Sequence, residues 1–256
     1  MRTNLKRRRI LVTRNEPKAT AFAEKIEQRN GIALVAPLIE IVSTVKQEQV
    51  AIIRNIQRYE WIVFTSANGV DFFMERLLSE VGNTQLKNCR IAAVGSKTNQ
   101  ALQNWKLEAD FIPSIYNADT MAEEFLIHME PQGPILLVQG ERSRTILNDA
   151  FKKQLIPTDS IQIYTTITHQ AVQRKLQELL LSEKIDYITF ASPSTVDAFI
   201  NLTEDSSLYK SRKVVCIGTT TEERAQTVGF SNTITPKTFT IEGMLAAIHE
   251  DILTKE

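Results

Sequence analysis

Six short clusters of hydroxyl, amide and glycine residues are the parts of the 256-residue sequence best suited to binding chemistry. Each follows an apolar run and opens a stretch with helical periodicity. The clusters are Thr13-Arg14, Thr65-Ser66-Ala67-Asn68, Gly95-Ser96-Lys97-Thr98, Gln139-Gly140, Ser192-Pro193-Ser194 and Gly218-Thr219-Thr220-Thr221. Helix capping explains any one cluster, because Ser, Thr and Asn are good N-caps. Six together predict a cleft that binds carboxylates or phosphates at helix N-termini.

Other kinds of site have little support in the sequence. Cys89 and Cys216 lack metal-ligand spacing, and the three histidines lie far from one another and from any acidic cluster. A metal site or a Ser-His-Asp triad is therefore not predicted. Neither GxGxxG nor GxxxxGK[ST] occurs, so a dinucleotide site or a P-loop is not expected. We expect no cofactor.

Composition limits the partners. Thirty Lys+Arg balance thirty Asp+Glu, whereas domains that bind nucleic acid are usually basic. No apolar stretch is long enough to span a membrane, and the first residues lack the features of a signal peptide. Two cysteines suit a reducing compartment, so we expect a cytoplasmic protein. The basic run KRRR at residues 6–9 is expected to form a solvated tail.

Short apolar runs alternate with helical stretches along the chain. The runs are residues 10–12, 61–64, 91–94, 135–138, 187–190 and 214–217. Pro17 is expected to open the first helix, and capping-box spacing places two later helix starts at Thr120 and Thr220. Strands that are apolar throughout and separated by helices indicate parallel sheets covered on both faces. The predicted class is α/β, built from flavodoxin-like parallel-sheet units.

The order of these units recurs along the chain. FTSANGVDFF at 64–73 matches FASPSTVDAF at 190–199, and 192 − 66 = 126. AVGSKT at 93–98 matches CIGTTT at 216–221, and 218 − 95 = 123. The recurrence predicts a duplication into two similar domains. Segments 38–45 and 160–168 open no helix and are candidates for strands that cross between the domains, which would make one domain discontinuous.

Together these motifs resemble those of the uroporphyrinogen-III synthase family. The resemblance rests on VTR at 12–14, FTSANGV at 64–70, VGSKT at 94–98, IYTT at 163–166, FASPS at 190–194 and IGTTT at 217–221. Pro236 and Thr240 also match, and the ordered set covers nearly the whole chain. Thr219 departs from the family, which often has proline at that position.

The resemblance implies two flavodoxin-like domains joined by a two-stranded β ladder, with the substrate in the cleft between them. One domain would comprise 1–36 with 169–256, and the other 46–157, with linker strands at 37–45 and 158–168. The implied reaction cyclises hydroxymethylbilane to uroporphyrinogen III in haem biosynthesis, with loss of water and inversion of the last pyrrole ring. No cofactor is implied. We expect a monomer that could contact the preceding pathway enzyme transiently.

The resemblance also assigns roles to residues. Tyr164 lies in the motif of the second linker strand and is the expected proton donor to the departing hydroxyl. Thr98, Thr220 and Thr221 match family hydroxyl positions, while Ser66 and Ser192 occupy equivalent places in the two halves. The expected substrate-binding residues are Thr13, Arg14, Thr65, Ser66, Asn68, Gly95, Ser96, Thr98, Gln139, Gly140, Ser192, Ser194, Gly218, Thr220 and Thr221.

Three alternatives remain at this point. A non-catalytic sensor module could share the fold, although the chain ends at Glu256 without a basic helix-turn-helix. A periplasmic-type binding protein would need a signal peptide. A nucleotide-dependent enzyme would need a Gly-rich or aromatic cofactor loop, which the sequence lacks.

Overall fold

The computed structural model describes residues 3–82, 86, 88–182 and 184–254. Within them the strands are β1 (Arg9–Val12), β2 (Ile32–Val35), β3 (Ile39–Ser43), β4 (Trp61–Phe64), β5 (Arg90–Ala93), β6 (Ile135–Gly140), β7 (Thr158–Thr168), β8 (Tyr187–Phe190), β9 (Lys213–Cys216) and β10 (Thr233–Ile234). The helices are α1 (Lys18–Glu27), α2 (Gln47–Arg54), α3 (Ala67–Val81), α4 (Ser96–Asn104), α5 (Ala118–Met129), α6 (Ile146–Lys153), α7 (Gln173–Ser182), α8 (Pro193–Leu202), α9 (Thr219–Thr227) and α10 (Ile241–Leu253).

The chain divides into two compact units. Unit 1 comprises Met1–Ile41 with Thr166–Glu256, and unit 2 comprises Val42–Thr165. Both boundaries fall inside strands, namely β3 and β7, which are neighbours in one sheet. The predicted ladder between the units stays a prediction.

Unit 1 has the strand order β2-β1-β8-β9-β10, and every adjacent pair is parallel. Counted within the unit, this order is 2-1-3-4-5, as in flavodoxin-like sheets. In the other sheet the order is β5-β4-β6-β7-β3, with parallel pairing from β5 to β7. The predicted α/β class with two parallel sheets is confirmed.

The central strands are apolar throughout because helices cover both faces of each sheet. In β4, Trp61 and Val63 face one core with Phe125, while Ile62 and Phe64 face another with Phe73. Successive strand side chains point to opposite faces, so a fully apolar strand supplies both cores. Unit 1 repeats this pattern in β1 and β8.

Local structure differs from the sequence expectations in three places. Residues 6–9 are not a solvated tail: Arg9 begins β1, and the Arg7 N–H donates to the Asn30 carbonyl at 2.6 Å. Arg8 also pairs with Asp186 at 3.2 Å. The segment is therefore not a tail, because it packs against the end of α1 and the start of β8, while Lys6 and Arg7 are exposed to solvent as expected.

The two expected helix starts were also placed too late. Asn117 caps α5, with its side chain accepting the Thr120 N–H at 2.8 Å, and Gly218 precedes the first residue of α9. Capping-box spacing selected Thr120 and Thr220 because their Glu partners lie three residues on. The N-cap positions are three residues earlier for α5 and two residues earlier for α9. Strand β2 was missed because its run IALV begins immediately after Gly31, a residue type that commonly ends a helix.

Candidate active site

In unit 2 the strand order creates a natural binding place. Strands β4 and β6 are adjacent although β5 lies between them in sequence. The connections from β4 and β6 therefore run to opposite sides, and ligands of such sheets bind outside the carboxyl ends of the strands at this point. The residues that follow β4 are Thr65 and Ser66, and β6 ends at Gly140.

Tyr164 on β7 points its phenol at the start of helix α3. Its Oη lies 3.0 Å from the Oγ of Ser66. The same Oγ accepts the N–H of Gly69 at 3.0 Å, so Ser66 is the N-cap of α3. The Ser66 hydroxyl proton can therefore be donated to the phenol oxygen, which leaves the phenol's own proton free.

The tyrosine ring packs closely against Gly140 and Phe72. A Cβ added at Gly140 would lie 2.6 Å from the Cζ of Tyr164, so only glycine lets the ring lie this close to β6. The register of β6 and β7 shifts between Gln139 and Gly140, which places Gly140 opposite Tyr164. The ring of Phe72 stacks on that of Tyr164, with centroids 6.0 Å apart.

A cavity of about 310 Å³ adjoins this phenol. Its lining combines hydroxyls, helix starts and one cation: Thr65, Ser66, Val94, Asn117, Ala118, Asp119, Ser143, Arg144, Ile146, Leu147 and Tyr164. Arg144 and the N-terminal turns of α5 and α6 favour a negatively charged ligand, whereas Asp119 opposes it. Three predicted residues (Thr65, Ser66 and Tyr164) are thus brought together.

The other predicted residues of unit 2 lie elsewhere on the same sheet edge or in the core. Asn68 lies in the first turn of α3, and the Gln139 amide donates to Ser160 Oγ at 2.8 Å. Gly95 precedes α4 and provides no side-chain cap, while Ser96 is exposed. Thr98 is buried, being 5% exposed.

Unit 1 has a corresponding edge where β1 and β8 adjoin. Thr13 is buried there and donates its hydroxyl to the Thr189 carbonyl at 2.6 Å, so it already has a partner in the core. Arg14 is half-buried, and this burial lowers the pKa of its guanidinium. Among the described residues no carboxylate lies within ion-pair distance of Arg14. A cation of this kind suits an anionic ligand.

Two helices start at the same edge of unit 1. Ser192 caps α8 by accepting the Thr195 N–H at 3.4 Å, and its Oγ lies 3.3 Å from that of Ser194. Gly218 precedes α9, so that this helix, like α4, has no side-chain cap. Thr220 is exposed in the first turn, and Thr221 is buried. The binding roles of these residues stay predictions.

Sequence reasoning missed part of the cavity lining. Asn117 caps α5 and Asp119 lies in its first turn, whereas the start of this helix was placed at Thr120. An asparagine followed three residues later by Thr120 in an apolar-periodic stretch is an N-cap signal that was available. Ile146 and Leu147 are apolar, and only the tertiary structure places them at a cavity.

A second cavity, of about 530 Å³, lies in unit 1 beside α10 and is lined by residues between Ile234 and Thr254. None of the predicted site residues line it. Among the described residues no group of three or more potential metal ligands occurs. No helix in the described ranges is long and apolar enough to cross a membrane.

The fold defines an α/β protein of two parallel-sheet units in which hydroxyl-rich segments follow the strand ends. A family model described as uroporphyrinogen-III synthase HemD matches residues 20–246. The chain belongs to this family. The comparisons give no support to the alternative of a non-catalytic sensor module.

Curated proteins similar to this chain carry names consistent with the family. A putative uroporphyrinogen-III synthase of Methanocaldococcus jannaschii is 28% identical over 94% of this chain and 97% of its own length. A porphyrin biosynthesis protein HemD of Ruminiclostridium josui is 29% identical over 94% of this chain, which spans only 48% of that longer protein. A chloroplastic uroporphyrinogen-III synthase of Oryza sativa is 24% identical over 94% of this chain.

Solved structures share the fold. Uroporphyrinogen-III synthetase of Helicobacter pylori gives a TM-score of 0.62 at 18% identity, covering 98% of this chain and all of the other. A mutant uroporphyrinogen III synthase of Thermus thermophilus gives a TM-score of 0.61 at 19% identity, covering 97% of this chain and 100% of the other. At this identity the likeness concerns the fold.

Proposed function

We propose that this chain is a uroporphyrinogen-III synthase that cyclises hydroxymethylbilane to uroporphyrinogen III. The observation that carries the proposal is the family match across residues 20–246. The reaction removes one water, inverts the last pyrrole ring and belongs to tetrapyrrole biosynthesis. It involves no net oxidation or reduction, so no cofactor is required.

The substrate has eight carboxylates, whereas the protein has a formal net charge of zero. Local donors must therefore hold it. The uncapped helix starts at Gly95 and Gly218 supply N–H groups, and Arg14 and Arg144 supply positive charge. We propose that strand-end residues of both units contact the same substrate molecule.

Tyr164 is the proposed proton donor. Its phenol gives a proton to the leaving hydroxyl oxygen, the carbon–oxygen bond breaks, water departs, and an azafulvene cation remains. General acid catalysis of this kind contributes ~10²–10⁴-fold. The Ser66 hydroxyl supports the role of Tyr164 as proton donor. Because this hydroxyl can donate to the phenol oxygen, the phenol proton can point away from Ser66.

The harder task is to direct the ring closure. Unassisted closure gives the symmetric isomer I, whereas the enzyme must bring the substituted carbon of the last ring to the cation first, through a spiro intermediate. Positioning alone can decide between these paths, because holding reactants in one geometry removes competing approaches. We therefore assign most binding residues to holding the chain ends rather than to bond breaking.

The remaining parts of the proposal concern the protein's surroundings. We propose that it acts in the cytoplasm as a monomer that contacts the preceding pathway enzyme transiently and binds no nucleic acid. Equal numbers of basic and acidic residues, 30 of each, support the last point.

The test is an isomer assay. The purified protein is incubated with hydroxymethylbilane, the product is oxidised, and the porphyrin isomers are separated by chromatography. We expect isomer III in clear excess over a protein-free control, which yields isomer I. Isomer I alone in the presence of folded protein would refute the proposed function.

A further inference from the structure

Two exposed aromatic side chains occupy equivalent positions in the two units. Tyr116 is 60% exposed and Phe239 is 58% exposed. They are 239 − 116 = 123 residues apart, the same offset as Gly95 and Gly218, for which 218 − 95 = 123. The duplication has thus left an exposed aromatic ring at the same place in each half.

Each ring lies against the glycine that precedes an uncapped helix. A Cβ added at Gly95 would lie 3.1 Å from the Cβ and 3.2 Å from the Cγ of Tyr116. A Cβ added at Gly218 would lie 3.4 Å from the Cδ2 and Cγ of Phe239. The aromatic residues therefore pack beside the starts of α4 and α9. A Cβ at Gly95 would crowd Tyr116, whereas a Cβ at Gly218 would meet Phe239 at ordinary contact distance.

The residue after each ring fixes its position. Asn117 follows Tyr116 and caps α5 by accepting the Thr120 N–H at 2.8 Å. Thr240 follows Phe239 and caps α10 by accepting the Gly243 N–H at 3.0 Å. Each aromatic residue thus directly precedes the N-cap of one helix, α5 or α10. Its ring lies beside the start of another helix, α4 or α9.

Two other exposed apolar side chains among the described residues, Ile127 and Leu181, do not share this arrangement. A single exposed apolar residue is normal on a protein surface and needs no explanation. Ile127 and Leu181 are 61% and 71% exposed, and their counterparts in the other half are Glu250 (127 + 123) and Asn55 (181 − 126). The pairing of Tyr116 with Phe239 therefore points to a use common to both halves.

An exposed aromatic face beside free N–H groups matches the chemistry of a pyrrole that bears carboxylates. The flat ring stacks on the aromatic face, and the carboxylates accept the N–H groups that begin the adjacent helix. A ligand that is only anionic would not require the ring, and a ligand that is only apolar would not require the uncapped helix start.

We propose that Tyr116 and Phe239 are stacking platforms, each of which binds one pyrrole ring of the substrate beside the starts of α4 and α9. The proposal rests on the proposed function, because that function supplies the pyrrole ligand. The platforms act in binding, so they set how tightly the substrate is held, while proton transfer is left to other residues.

The test compares Tyr116→Ala, Phe239→Ala, Tyr116→Leu and Phe239→Leu with the conservative variants Tyr116→Phe and Phe239→Tyr. We expect each Ala or Leu variant to raise the KM for hydroxymethylbilane about 3- to 10-fold, the range of an aromatic pair, with kcat within about twofold. The double Ala variant should multiply the two effects, and the conservative variants should keep the parental KM. Ile127→Ala and Leu181→Ala are the matched controls for loss of an exposed apolar side chain, and thermal unfolding verifies folding.

A second measurement separates this proposal from the proposed function. Binding of uroporphyrin III is titrated by its visible absorption, which needs no turnover. Weaker binding by both Ala variants supports the platforms even if the parent makes no isomer III. Any of four results would overturn the platforms. The first two are an equal KM in the parent and the Ala variants, and equal porphyrin binding by them. The others are Leu variants with the parental KM, and no porphyrin binding by the parent.

Discussion

The phenol oxygen of Tyr164 lies 3.0 Å from the hydroxyl of Ser66, which also caps helix α3 through the N–H of Gly69. One hydroxyl thus joins a proposed proton donor on strand β7 to the start of a helix that follows strand β4. Because the cap fixes Ser66, the phenol is held at the edge of the cavity in unit 2.

Removal of the Tyr164 hydroxyl should reduce turnover more than binding. In Tyr164→Phe the ring still stacks on Phe72, but the proton donor is absent, so we expect kcat to fall ~10²-fold or more and KM to change less than about threefold. Steady-state kinetics with isomer analysis measure both. Tyr59→Phe is the control, since Tyr59 does not line the cavity. An unchanged kcat in Tyr164→Phe would exclude the acid role.

A methyl group at Gly140 should displace the same phenol. The added Cβ would lie 2.6 Å from the Tyr164 Cζ, so the ring must move in Gly140→Ala and kcat should fall by about tenfold or more. In the Tyr164→Phe background the same change should have little further effect on kcat, because the displaced group is already lost. Full additivity in this double-mutant cycle would contradict the mechanism.

Replacing either of the two equivalent capping serines should cost the protein the same stability, but only Ser66 contacts Tyr164. Ser66 and Ser192 cap α3 and α8, so Ser66→Ala and Ser192→Ala should each lower the free energy of unfolding by about 1 kcal/mol in urea titrations. Only Ser66→Ala removes the partner of the phenol, so it alone of the two should also lower kcat. A loss in Ser66→Ala below about 0.3 kcal/mol would contradict its capping role.

Alkaline pH should weaken the packing around Tyr59. Burial and then the hydrogen bond to Asp159, 2.6 Å long, raise the pKa of Tyr59 from 10.0 to about 12. Because the folded-state pKa lies above the unfolded one, this contribution to stability is complete below pH 10 and is lost as pH rises toward 12. Urea midpoints measured from pH 8 upward should fall less steeply in Tyr59→Phe. An identical slope in both proteins would argue against this coupling.

Neither cysteine should react readily in the folded protein. Burial, with a smaller effect of Glu222, raises the pKa of Cys216 to about 12, and burial also raises the pKa of Cys89. Since the thiolate is the reactive form, iodoacetamide at pH 8 should label both slowly before unfolding and fully in urea, as followed by mass spectrometry. Cys89→Ser isolates the signal of Cys216. Rapid labelling of native Cys216 would contradict its burial.

The sequence by itself determined the fold class and the family. Apolar runs such as 61–64 must be buried on both faces, which requires helices on both sides of a parallel sheet, and this follows from composition and order alone. Hydroxyl clusters such as Thr65-Ser66 were found for the same reason, because the local chemistry of a helix start is encoded in adjacent residues.

Only the tertiary structure decided which of those residues meet. Ser66 and Tyr164 are 98 residues apart and approach because β4, β6 and β7 are neighbours in the sheet order. Tertiary packing also buries Thr13 in unit 1 and Thr98 in unit 2, which the sequence could not distinguish from exposed hydroxyls. Periodicity records which face of an element is apolar, but the register between distant strands depends on the packing of the whole sheet, and that register sets every distance at the site.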